Sequence, residues 1–148
     1  MIPVLLESPY AGDAQRILYN VRYARACMAD SLRRGEAPYA SHLLYTQDGI
    51  LRDGVPEERA QGIEAGLLWG RFASKSVVYI DMGISEGMKQ GIARAEAEGR
   101  PVEERKLGRN GLATLFGADV CEATGKHWPC GGCSRCKDCE YCKCGKRR

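Results

Sequence analysis

Residues 2–7 (IPVLLE) are an apolar run, and beyond it the apolar positions recur every three to four residues. From Asp13 onward Ile17, Val21, Ala24, Met28 and Leu32 share one helical face, with Arg16, Asn20, Arg25 and Arg33 elsewhere. Asp13 supplies an N-cap and Gly35 a stop. Pro38 to Tyr45 (PYASHLLY) then predicts a second strand, closed by Asp48-Gly49. Pro56 opens a second helix, with Glu57 and Glu58 at its positive end. Its Gly62, Gly66 and Gly70 form a stripe that admits a close neighbour, expected to be the sheet. Residues 76–80 (SVVYI) have the continuous β-branched and aromatic character of a central parallel strand, ended by Asp81. Ser85 caps a third helix whose Met88, Ile92 and Ala95 face inward, and Gly99 ends it. Pro101 to Glu104 predicts a charged edge strand. Asn110-Gly111 starts a short helix, from which Leu112, Leu115 and Phe116 fold back on the body.

The order β-α-β-α-β-α-β is solved most simply by a parallel sheet with right-handed crossovers. The expected fold is α/β: a small Rossmann-like three-layer fold with four parallel strands in the order 2-1-3-4. Its ligand crevice lies outside the carboxyl ends of strands 1 and 3. There Ser8, Pro9 and Tyr10 would meet Asp81, Gly83 and Ser85.

Composition divides the chain in two. With 148 residues and 44% hydrophobic content, one core is expected. No run of about 18 apolar residues suits a membrane span. The first residues, interrupted by Glu7, do not read as a signal peptide. A reducing, cytoplasmic setting is therefore expected, where cysteines serve as metal ligands or thiols. Seven of the eight cysteines fall within 121–148, which also hold seven Lys/Arg against three Asp/Glu, a net +4. The remaining 15 basic and 16 acidic residues give 1–120 a net −1. We therefore divide the chain into a body, 1–120, and a basic cysteine-rich tail, 121–148.

Three fragments carry a resemblance: SPYAGD at 8–13, PYASHLLYTQ at 38–47 and DMGISEGM at 81–88. Over about residues 1–106 the chain resembles the nucleoside 2-deoxyribosyltransferase-like group, short Rossmann-type proteins that cleave or exchange the bond between a base and its sugar. The resemblance implies Tyr10 near the sugar, His42 and Tyr45 after strand 2, and Ser85 and Gly87 at a helix start suited to a phosphate. Ser8, Asp81 and Gly83 from the predicted crevice, with Gly12, complete the candidate substrate site. It also implies a carboxylate on the third helix, six residues after the serine, and this chain has Gly91 there. Glu86, Asp81 and Tyr10 are then the catalytic candidates, with Glu7 a further carboxylate. Each residue also has a structural reading. Ser8, Tyr10 and Asp81 can close turns, His42 can be a core histidine, Glu86 suits the first turn of a helix, and Arg59 reads as a solvated helix charge.

The tail places cysteines at 130, 133, 136, 139, 142 and 144, largely in C-x2-C steps. Cys130, Cys133, Cys136, Cys139, Cys142 and Cys144, with Cys121 and His127, make eight ligands, enough for two tetrahedral zinc ions. An iron–sulfur cluster is the second choice. Cys27, on the first helix, reads as a small core residue. The expected function is nucleoside or nucleotide binding with cleavage or exchange of the base–sugar bond, in a chain that can assemble with copies of itself. The alternative is a non-catalytic nucleotide-binding module whose zinc tail docks on nucleic acid or a protein partner.

Overall fold

The computed structural model describes residues 1–108 together with 111 and 112. Four parallel strands, β1 (Ile2–Glu7), β2 (Glu36–Tyr39), β3 (Lys75–Tyr79) and β4 (Val102–Arg105), form one sheet in the order β2-β1-β3-β4. Between them run α1 (Ala14–Arg33), the single turn α2 (Ser41–Leu44), α3 (Pro56–Gly70) and α4 (Glu86–Ala97). The step from β1 to β2 runs opposite to the later two, so right-handed crossovers put α1 on one face and α3 and α4 on the other. Among the described residues no helix is long and apolar enough to cross a membrane.

Strand alternation builds the core. Val4, Leu6, Val77 and Tyr79 pack with Tyr23 and Cys27 of α1, with Ala40, and with Leu112 beyond β4. Leu112 thus folds back as its apolar character predicts, while Asn110, Leu115 and Phe116 lie outside the described residues. Cys27 is fully buried.

Four expectations are corrected. The second strand is Glu36–Tyr39, not Pro38–Tyr45; after Ala40, whose carbonyl accepts from the Leu43 and Leu44 N–H groups, the chain coils into α2. His42 therefore rides on a helical turn. The buried face of α1 holds Tyr19, Asn20, Tyr23, Ala24, Cys27 and Ser31, while Leu32 is 49% exposed. Polar groups decide that rotation: Asn20 Nδ2 donates to the Tyr10 carbonyl (2.7 Å), Tyr23 Oη to Asp81 (2.6 Å) and Ser31 Oγ to Glu36 (2.6 Å). Along α3 the glycine stripe faces Leu51, Ser41 and Arg100 and not strand backbone. On α4 the buried positions are Met88, Gly91 and Ala95, with Ile92 only half-buried.

A buried ion pair joins the two edge strands. Arg105 donates twice to Glu36, both at 2.7 Å, and Lys75 adds a contact to Glu36 at 2.9 Å. Lys75 and Arg105 also hold Glu103, each at 2.7 Å. The Arg105 fork above all keeps the Glu36 carboxyl ionised, well below the ordinary carboxylate range, and outweighs the opposing effect of burial. Removing one partner of a buried pair leaves an uncompensated charge. Arg105→Met should therefore cost about 3–5 kcal/mol in urea unfolding, against about 0–1 kcal/mol for Arg94→Met in an exposed pair with Glu98. A folded-state carboxyl held low contributes stability above its unfolded value, about 4.3, and loses it as pH falls further. The urea midpoint should thus drop below about pH 4, and less steeply in Glu36→Gln.

Candidate functional site

A cavity of about 340 Å³ opens where the connections leaving β1 diverge from those leaving β3. Its floor is the end of β1, where Glu7, Ser8 and Tyr10 follow the buried Val4–Leu6 run. One wall is α2 and the segment after it, with Ser41, His42 and Tyr45. The other walls are α3, with Arg59, Gly62 and Gly66, and the start of α4, with Ser85, Glu86, Gly87 and Gly91. The β1–α1 turn is held by the Asn20 bond to the Tyr10 carbonyl.

Ser8 Oγ and His42 Nε2 share a hydrogen bond of 2.8 Å, and the Tyr10 ring meets the imidazole edge-on at 6.2 Å between centroids. Burial pushes the His42 imidazole down to about 4, so the ring is neutral at pH 7. Glu7 moves the other way: desolvation raises its carboxyl to about 8, opposed only in part by Arg100. At the start of α4, Ser85 Oγ accepts from the Met88 N–H (3.4 Å), and the Ser85 N–H points at Met88 Sδ (3.4 Å). Arg59 pairs with Asp53 and comes within 4.0 Å of where a side chain at Gly87 would begin. It borders the cavity and is not a purely solvated charge.

Ser8, Tyr10, His42, Ser85, Glu86 and Gly87 thus come together as the motifs predict. Glu86 is a rim residue, 84% exposed and paired with Lys89 at 2.5 Å. Asp81, Gly12 and Gly83 are not on the wall. Asp81 accepts from Tyr23 Oη and from the N–H groups of Leu107 (2.9 Å) and Gly108 (3.2 Å), which fastens the chain after β4 to the end of β3. Gly12 precedes the α1 cap, and Gly83, at φ +80°, makes the turn whose N–H returns to the Ile80 carbonyl (3.0 Å). Cys121, His127 and the six cysteines from Cys130 to Cys144 lie outside the described residues. Sequence reasoning missed the contribution of 46–58, where Thr46, Leu51, Asp53 and Glu58 also line the cavity. The signal available there was charge: Arg52 and Glu58 pair, as do Asp53 and Arg59, pinning an otherwise irregular connection.

Fold and site together define an open parallel α/β protein with its cavity at the topological switch point, where ligands bind in such sheets. The model of a family described as a domain of unknown function (DUF7768) matches residues 3–105, and the chain belongs to that family. No curated protein and no solved structure matches it.

The buried imidazole gives a direct test. A histidine whose folded value lies below its unfolded value of about 6.5 costs stability as pH falls between the two. In NMR titration the His42 ring resonance, assigned by its loss in His42→Gln, should stay flat through pH 6.5 and move only near pH 4.

Proposed function

We propose that the protein binds a nucleoside or nucleotide in this cavity and cleaves or exchanges the bond between base and sugar. The observation that carries the reading is the meeting of Ser8, Tyr10, His42, Ser85 and Gly87, from three separate motifs, around one cavity. About 340 Å³ falls at the small end of the range for small-molecule clefts, about 300–1,000 Å³, and suits a single nucleoside unit. Tyr10 offers a flat apolar face beside the sugar, and the Ser8–His42 pair offers fixed polar atoms to hydroxyls. A phosphate would find the uncapped N–H groups of Glu86 and Gly87 at the positive end of α4, with Arg59 beside them. Cleavage at the anomeric carbon passes through an oxocarbenium-like state that a carboxyl group can assist or trap. Gly91 favours a second reading, a nucleotide-binding module without turnover, because the resemblance implies a carboxylate at that place on the helix.

A thermal-shift panel of nucleosides and nucleotides should give stabilisation. Tyr10→Ala should weaken that binding by about 1–3 kcal/mol. Asp81→Ala should instead lower the melting temperature by orphaning the Leu107 and Gly108 N–H groups, with little change in affinity. A panel without any shift, or equal binding by Tyr10→Ala, counts against the site.

For the tail the proposal rests on ligand chemistry alone: two zinc ions held by Cys130, Cys133, Cys136, Cys139, Cys142 and Cys144 with Cys121 and His127. Its seven basic residues would suit phosphates of nucleic acid. Elemental analysis of protein purified without added metal should find zinc near two per chain. A chelator should remove it while the far-ultraviolet circular dichroism of the body persists, since the body has its own core. Iron with visible absorption would replace zinc by a cluster.

A further inference from the structure

We propose that Glu7 is the reacting carboxyl group of the cavity, seated in the space that Gly91 leaves open on α4; this rests on the base–sugar reading above. Glu7 ends β1, so strand alternation turns it away from the Leu6 face and toward α4. Its head lies flat against that helix. A Cβ built on Gly91 would stand 2.2 Å from Glu7 Oε1 and 2.6 Å from its Cδ, closer than any side chain can approach. The same residue lines the cavity between Ser8 and the start of α4.

Its surroundings are not those of a structural carboxylate. Glu36 is held ionised by Arg105, Lys75 and Ser31. Among the described residues, no hydrogen bond or ion pair reaches the Glu7 carboxyl, and Arg100 acts on it only through space. Burying a carboxyl without partners is costly and does nothing for the fold. Desolvation holds Glu7 protonated at neutral pH, so it enters the reaction as an acid.

An acid so placed can serve both halves of the reaction. Glu7 gives its proton to the departing base nitrogen as the bond from C1′ to that nitrogen breaks, the electron pair leaving with the base. The carboxylate so formed bonds to C1′. Water, or a second base, then attacks C1′; the C1′–O bond to Glu7 breaks and a proton returns to the carboxylate. The acid is regenerated, and Glu86 stays at the rim with Lys89.

The test uses the full chain with purine and pyrimidine 2′-deoxynucleosides and their 5′-monophosphates, free base being measured by chromatography. Glu7→Gln, nearly equal in volume, should lower turnover by about 10³-fold or more while nucleotide thermal shifts persist. Gly91→Ala, which takes the seat of the carboxyl head, should also lower turnover and keeps the result readable where Glu7→Gln fails to fold. In a Glu7→Gly background, Gly91→Glu should restore part of the turnover from the helix side. A 2-deoxy-2-fluoro substrate should leave a glycosyl adduct on the peptide containing Glu7. Turnover retained in Glu7→Gln, or an adduct on Glu86, overturns the role of Glu7 and leaves the base–sugar reading standing. No free base from the parent protein with any substrate overturns both.

Discussion

The cavity exists because two helices come closer to their neighbours than side chains would allow. On α3, a Cβ at Gly66 would stand 2.6 Å from the Ser41 Cβ and Oγ, so α2 rests directly on the helix backbone. On α4, Gly91 gives its place to the Glu7 carboxyl. Each helical glycine costs about 0.5–1 kcal/mol relative to alanine. Core packing alone would favour the larger residue wherever it fits. These two positions instead bring α2, α3 and α4 to the end of β1 at short range, and they fix both the size of the cavity and what faces it.

That constraint also explains which parts of the site were legible in the sequence. Strand ends and helix caps announce themselves locally: SVVYI before Asp81, and Ser85 before Met88, predict an end of strand and a start of helix that the structure keeps within a residue. The order 2-1-3-4 follows from crossover handedness once the alternation is seen. Residues adjoining those ends, such as Ser8, Tyr10, Ser85 and Gly87, then fall on the cavity wall. Pairwise chemistry was not legible. The face of α1 was misassigned because Tyr23, Asn20 and Ser31 look polar in isolation, yet each is buried against a partner far along the chain or across a turn. Asp81 looked like a site residue for the converse reason: its ligands are N–H groups beyond β4, invisible to any local pattern. His42 reads as strand because PYASHLLY is largely apolar and aromatic, and only the early exit of β2 from the sheet puts it on a turn of helix.

Two groups of titrating side chains then differ in which form the fold keeps, the ionised or the neutral. On the α1 side of the sheet, Glu36 and Glu103 are saturated with donors and held ionised, Glu103 down to about 2. Such carboxylates stabilise the folded chain at neutral pH and release that stability as acid is added. At the cavity, Glu7 and His42 are driven to their neutral forms by burial. For Glu7 the sign is reversed: the folded state binds the proton more tightly than the unfolded chain, so stability declines as pH rises from the ordinary carboxylate range toward 8. The Glu36 cluster is most secure above about pH 5, whereas at the cavity the two signs oppose, His42 losing stability as pH falls below about 6.5 and Glu7 as it rises toward 8.

A chain under pressure for stability alone would not keep the second arrangement, since glutamine at 7 would fill the same volume without a titrating group. Nor does Glu7 repay its burial through a partner, as Arg105 repays Glu36. What the arrangement provides is a proton and a latent carboxylate on a rigid strand end, beside a neutral imidazole and the positive end of a helix. Rigidity matters because the reacting group must stay within fractions of an ångström of its target. β1 is paired with β2 over Ile2–Leu5 and with β3 over Val4–Glu7, so its last residue is held in register by Val78 of β3. A carboxyl on the first turns of α4 would be held by one helix alone. A carboxyl on the central strand, with glycine opposite to admit it, is instead anchored by the strand pairing of β1 with β3.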